Sequence, residues 1–112
     1  MTRMIKNGLD NKDTRPALRE KQIEQTLVKE VRKRGGIALK FVSPAFDGMP
    51  DRMVLMPGER MAFVEVKAPG KKPCPLQDAR HRLLRQLGFR VFVLDAPGAV
   101  AEILDEIGGD AL

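Results

Sequence analysis

From residue 16 to residue 34 the apolar positions Ile23, Leu27, Val28 and Val31 recur every three to four residues. That period gathers them on one stripe, so the spacing predicts an α-helix over 16–34. Pro16 suits its first turn, where a missing N–H costs nothing. Arg32, Lys33 and Arg34 complement the negative end of the helix dipole, and Gly35-Gly36 stop the helix. Three apolar runs follow, at 37–42 (broken by Lys40), 52–56 and 61–67. Each is too short for a helix and reads as a strand. Ser43-Pro44 ends the first, a loop with Gly48 and Pro50 leads to the second, and Pro57-Gly58-Glu59-Arg60 turns the chain into the third. In the third run, alternation sets Phe63, Glu65 and Lys67 on one face and Ala62, Val64 and Val66 on the other.

A proline-stiffened loop over 68–75 carries Lys71 and Lys72, and Pro75 opens a second helix that Gly88 ends. Its expected inward residues are Leu76, Ala79, Leu83, Leu84 and Leu87. Gln77 falls in the first turn on the flank of that stripe, with Arg80 close to it one turn later. Arg82 and Arg85 point to water, and His81 is expected to be partly exposed. Residues 89–94 form a further strand, and 97–107 a short helix with Val100, Ile103, Leu104 and Ile107 inward. The order is α-β-β-β-α-β-α, an α/β fold with a small mixed sheet flanked by helices. Residues 1–15 lack periodicity and read as a flexible basic arm, leaving 16–112 as a single domain.

Charge changes the picture more than composition does. The chain carries a net charge of +5, yet residues 99–112 hold four acids and no base. A basic body suits a polyanion, most simply nucleic acid, or serves only solubility. Trp and Tyr are absent, so backbone phosphate contact is favoured over base stacking. Lys40, Lys71, Lys72, Arg80, Arg82 and Arg85 are the candidate phosphate contacts. No apolar run approaches the roughly 20 residues that span a bilayer, so no membrane partner is expected. Cys74 is alone, which excludes an internal disulfide and suits a reducing, intracellular setting. One Cys and one His also exclude a zinc finger made by this chain alone. The Gly70-Lys71 pair lacks the upstream glycine of a P-loop, so no nucleotide cofactor is implied.

The candidate chemistry lies in GMPDRMVLMPGERMAFVEVK, residues 48–67. Asp51 opens one strand of a hairpin, and Glu65 and Lys67 sit on one face of the other. Glu24 points inward from the first helix, with Glu20 near the same face. Clustered carboxylates repel one another unless a cation joins them, and all-oxygen ligation favours Mg²⁺ or Mn²⁺. The Val66 carbonyl, between Glu65 and Lys67, offers one more oxygen. A lysine beside such an ion orients or deprotonates water and offsets charge gathering on a phosphorus. Metal-assisted phosphodiester hydrolysis needs this set of parts. Blander readings stand beside it: Glu65 and Lys67 as a surface ion pair, Asp51 as a turn cap, Gln77 as an ordinary first-turn residue.

Pro50, Asp51, Glu65 and Lys67 make the pattern P-D-x13-E-x-K, which resembles the PD-(D/E)xK nuclease superfamily. Within it, GMPDR at 48–52, FVEVKAPG at 63–70 and PLQ at 75–77 resemble the VRR-NUC domain, and the likeness runs from about Pro16 to Leu94. The resemblance implies a restriction-endonuclease-like fold and Mg²⁺- or Mn²⁺-dependent DNA cleavage. Stand-alone, phage or bacterial members look like Holliday-junction resolvases that act as homodimers. Carried over, Glu24 (or Glu20), Asp51 and Glu65 would hold metal, beside the Val66 carbonyl already noted, and Lys67 would be the catalytic lysine. Gln77 matches the glutamine that supports the metal, its water or the lysine. Flapped, nicked or plain duplex DNA, and a non-catalytic DNA-binding module, are the alternatives.

Overall fold

The computed structural model describes residues 15–108. All but the last residue of the expected basic arm therefore lies outside the described residues, and that last residue, Arg15, opens the first helix. Helix α1 (Arg15–Lys33) leads to strands β1 (Ile37–Lys40), β2 (Arg52–Met56) and β3 (Arg60–Val66). Helix α2 (Pro75–Gln86), strand β4 (Val91–Leu94), a 3₁₀ turn (Pro97–Ala99) and helix α3 (Val100–Gly108) complete it. The expected element order holds. The boundaries contract where prolines, glycines or unpaired backbone end the pairing. Strand β1 stops at Lys40, before Phe41 and Val42, and β4 begins at Val91, not at Phe89. The last helix starts three residues late because Pro97-Gly98 tightens its entry into a 3₁₀ turn.

The sheet order is β1-β2-β3-β4, antiparallel except for the parallel β3–β4 pair. A parallel pair needs a crossover, and α2 supplies it. Strand β3 lies inside the sheet between β2 and β4, and its last five residues are all buried. Its even-numbered face meets α1 and α3. Ile23, Leu27 and Val31 of α1, with Val100, Ile103, Leu104 and Ile107 of α3, pack there on Val54, Ala62, Val64, Val66 and Leu94. The odd-numbered face meets α2, where Phe63, Leu84 and Val91 form a smaller cluster with Phe41, Met49, Met53 and Met61. The two clusters put the core on both sides of β3, so a polar residue on that strand must be buried too.

Helix α2 corrects the sequence expectation. Leu76, Leu83 and Leu87 are exposed, and His81 and Leu84 are its buried residues. Gln77, His81 and Leu84 share one face at spacings of four and three. The helix is rotated from its leucine stripe because it packs on only a small apolar patch of the sheet and must also cover the polar end of β3. His81, expected to be partly exposed, is 1% exposed.

Candidate active site

Three elements meet at the end of β3. Strand β3 delivers Glu65 and, one residue past its end, Lys67, whose backbone N–H donates to the Leu94 carbonyl at 2.9 Å. The loop between β1 and β2 delivers Asp51, whose position is fixed twice. Its backbone carbonyl accepts from the Phe41 N–H at 2.8 Å, and its Oδ2 accepts from the Val66 N–H at 2.9 Å. Helix α2 delivers Gln77 and His81.

Glu65 is the centre of the arrangement. It is 1% exposed, and its Oε2 lies 3.1 Å from Gln77 Nε2 and 3.5 Å from Lys67 Nζ. Gln77 cannot turn its amide round, because its Oε1 accepts the Cys74 N–H at 3.0 Å across the start of α2. One side chain thereby caps the helix and presents a donor to Glu65. On the other side of the carboxylate, Oε1 lies 3.7 Å from His81 Nε2, and neither atom has a hydrogen-bond partner. Burial, and then the negative charge of Asp51, push the Glu65 pKa from 4.5 up to about 7, with Lys67 pulling the other way. Burial, followed by the positive charge of Arg85, lowers the His81 pKa below its ordinary 6.5.

The surface-pair reading of Glu65 and Lys67 does not fit this burial. Lys67, 20% exposed at its side chain, reaches the surface beside an acid that does not. Glu24 is placed differently. Its Oε2 accepts from Arg52 Nε and ion-pairs with Nη2, both at 2.9 Å, while Arg52 Nη1 donates to the Ala38 carbonyl at 3.1 Å. This link ties α1 to β1 and β2 on the α1 side of the sheet, whereas Glu65 faces α2. Glu20 is half-buried. Among the described residues, no group of three or more His, Cys, Asp or Glu side chains forms a ready metal cluster.

The basic candidates also divide. Lys40, Lys71, Lys72 and Arg82 are exposed. Arg80 is half-buried: its Nε donates to the Asp47 carbonyl at 2.7 Å, and its guanidinium lies 3.8 Å from the Phe46 ring centroid. Arg85 donates to the Val91 carbonyl at 2.8 Å. Both arginines therefore brace the fold. Arg80 also shows what Gly48 is for. Gly48 has φ +92°, and a Cβ there would lie 2.8 Å from Leu76 Cγ and 3.0 Å from Arg80 Cγ. Gly48→Ala is expected to cost about 1–3 kcal/mol through strain and crowding against α2. Urea unfolding will measure it, and an unchanged midpoint would mean that the loop moves freely off the helix.

A solved structure described as "VRR_NUC domain" superposes with a TM-score of 0.73 at 27% identity, over 78% of this chain and 95% of that one. A phage protein named "Putative nuclease p44", from Acyrthosiphon pisum secondary endosymbiont phage 1, is 56% identical over 79 residues, 70% of this chain and 85% of its own length. The chain belongs to the VRR-NUC family of nucleases. No protein-family model matches it. The VRR-NUC fold expected from GMPDR, FVEVKAPG and PLQ is thus the fold observed, a four-stranded mixed sheet between helices. Sequence reasoning took His81 for a partly exposed helix residue and did not single out Arg52, the partner of Glu24. His81 was legible in principle, since it lies four residues after Gln77 on the same helical face. Arg52 was not, because its partners Glu24 and Ala38 come from distant segments.

Proposed function

We propose that this VRR-NUC protein is an Mg²⁺- or Mn²⁺-dependent endonuclease that hydrolyses DNA phosphodiester bonds, acts as a homodimer and prefers four-way junctions. The observation that carries the reading is Glu65, a carboxylate buried to 1% exposure beside Asp51, with one oxygen left without a partner. An arrangement that penalises its own ionisation is suited to a cation. Two carboxylates and a backbone carbonyl are hard oxygen donors, and Mg²⁺ is commonly held by one or two carboxylates together with substrate phosphate. Asp51, Glu65 and the Val66 carbonyl would hold the ion. When bound, it would lower the pKa of a water and offset the charge that develops on the scissile phosphate.

The chain's own residues do the rest. Gln77 holds one oxygen of the Glu65 carboxylate, Oε2. Lys67, held by its backbone to β4, presents its ammonium at the surface of the site, placed to orient the attacking water and to stabilise negative charge. Lys40, Lys71, Lys72 and Arg82 are exposed and free to meet phosphate, whereas Arg80 and Arg85 give up part of their donor capacity to the fold. Symmetric cutting of a four-way junction requires two such sites related by a two-fold axis, one in each of two chains. The domain would run over 16–112, and Cys74, a free thiol, suits an intracellular protein of a bacterium or phage. Among the described residues, no helix is long and apolar enough to cross a membrane.

Glu24 takes part through Arg52 in this conformation and joins the ion only if that pair opens. Glu24→Gln is therefore expected to lower the melting temperature of the metal-free protein by a few degrees, through about 1 kcal/mol of lost pairing. A fall in Mn²⁺ affinity as well would add Glu24 to the ligands; an unchanged affinity would keep it structural. The test of the function itself is cleavage of labelled junction, flap, nicked and linear DNA in Mn²⁺. Junction cutting ahead of the others supports the proposal. Equal cutting of all four removes the junction preference, and no cutting of any leaves a DNA-binding module.

A further inference from the structure

The proposed chemistry uses Gln77 on the inward face of α2 and leaves His81, one turn later on that face, without a task. Burial makes that omission costly. His81 is 1% exposed, and its Nε2 has no hydrogen-bond partner. Unpaired buried polar atoms each carry a desolvation penalty of about 1–3 kcal/mol, so a native site that holds two of them needs a reason. The second is Glu65 Oε1, and the two face each other at 3.7 Å. This separation is longer than a hydrogen bond but is closed by small side-chain rotations.

The two oxygens of Glu65 are held unequally. Oε2 has both Gln77 Nε2 and Lys67 Nζ beside it, while Oε1 has no hydrogen-bond partner and faces His81 Nε2 at 3.7 Å. A carboxylate gripped at one oxygen still rocks about its last torsion, which is broad and weakly restrained. A donor at the second oxygen removes that freedom. Gln77 and His81 sit one turn apart on the same face of α2, so a single rigid helix addresses both oxygens. Outer partners of this kind orient a ligand without touching what it binds.

We propose that His81 is a positioning residue for Glu65: its Nε2–H donates to Oε1 and, with Gln77, sets the plane of the carboxylate. This rests on Glu65 holding the divalent ion. The geometry calls for a proton on Nε2. It also makes a distinction between two amides. In His81→Gln the side-chain nitrogen reaches the place of Nε2, whereas in His81→Asn it stops near the place of Nδ1.

The experiment is calorimetric titration of Mn²⁺ into wild type, His81→Gln, His81→Asn and His81→Leu, with junction-DNA binding measured separately in EDTA. His81→Asn and His81→Leu are expected to bind Mn²⁺ about 10- to 100-fold more weakly. His81→Gln is expected to stay within about threefold of wild type, and DNA affinity in EDTA to remain unchanged throughout. A residue that only fills space would respond differently, with His81→Leu tolerated best and Mn²⁺ affinity unaffected. Wild-type affinity in both His81→Asn and His81→Leu overturns the inference alone. If one of these fails to fold, the other carries the comparison with His81→Gln. Failure of wild type to bind Mn²⁺ at all overturns the metal reading of Glu65 and this inference with it.

Discussion

Lys67→Ala is expected to cut junction DNA about 10²- to 10⁴-fold more slowly than wild type in Mn²⁺, the range typical of a positioned acid–base or charge-stabilising group. The loss should fall on the single-turnover rate with little change in DNA affinity, because one exposed ammonium is a small part of a basic surface. Its stability cost should be small for a physical reason. Lys67 reaches the fold through its backbone bond to Leu94, which alanine keeps, and its Nζ lies 3.5 Å from Glu65 Oε2, a weak contact. Removing that cation also withdraws a group that favours ionised Glu65, so the metal-free alanine protein should hold the Glu65 proton to still higher pH. Cutting by Lys67→Ala at the wild-type rate would remove Lys67 from the mechanism.

The second large effect is on stability with metal and pH. Millimolar Mn²⁺ at pH 8 should raise the melting temperature by several degrees, as any ligand of the native state does when present well above its dissociation constant. Asp51→Ala should abolish the rise while the protein still binds DNA; an unchanged rise would exclude Asp51 as a ligand. The pH dependence follows from Glu65, whose pKa is about 7 in the folded protein against 4.5 for the ordinary side chain. Between those values the folded state keeps a proton that the unfolded state has released. Without metal, the contribution of this group is therefore full below about pH 4.5 and lost as pH rises through 7, on the order of a few kcal/mol. With metal the proton must leave for the ion to bind. The Mn²⁺-dependent rise should thus be much smaller at pH 5.5 than at pH 8, and equal rises at both would contradict the buried, protonated Glu65.

Much of this candidate site is legible in the sequence, because its parts obey local rules. The pleat obliges Glu65 and Lys67 to share a face whatever surrounds them, and the Gly-x-Pro-Asp turn puts Asp51 at the mouth of the neighbouring strand. Their spacing, with FVEVKAPG and PLQ, carried the family resemblance that the comparisons bear out. Helix α1 was equally plain, since Ile23, Leu27 and Val31 all reach the core. Helix α2 was not. Its leucines outnumber its polar residues on one stripe, and periodicity alone turns that stripe inward. The actual rotation depends on what α2 packs against, a strand end whose buried face is itself polar.

The sequence by itself determined the order of the elements, the pairing of Glu65 with Lys67, and the family, since each follows from residue type and spacing over short distances. The tertiary structure alone decided how deeply Glu65 is buried, that Gln77 donates to one of its oxygens while His81 lies 3.7 Å from the other, and that Arg52 holds Glu24 on the other side of the sheet. Those facts depend on helix rotation and on contacts between segments 12 to 28 residues apart. Local periodicity contains neither. Burial, more than composition, is what turns an acid in a strand into a candidate metal ligand.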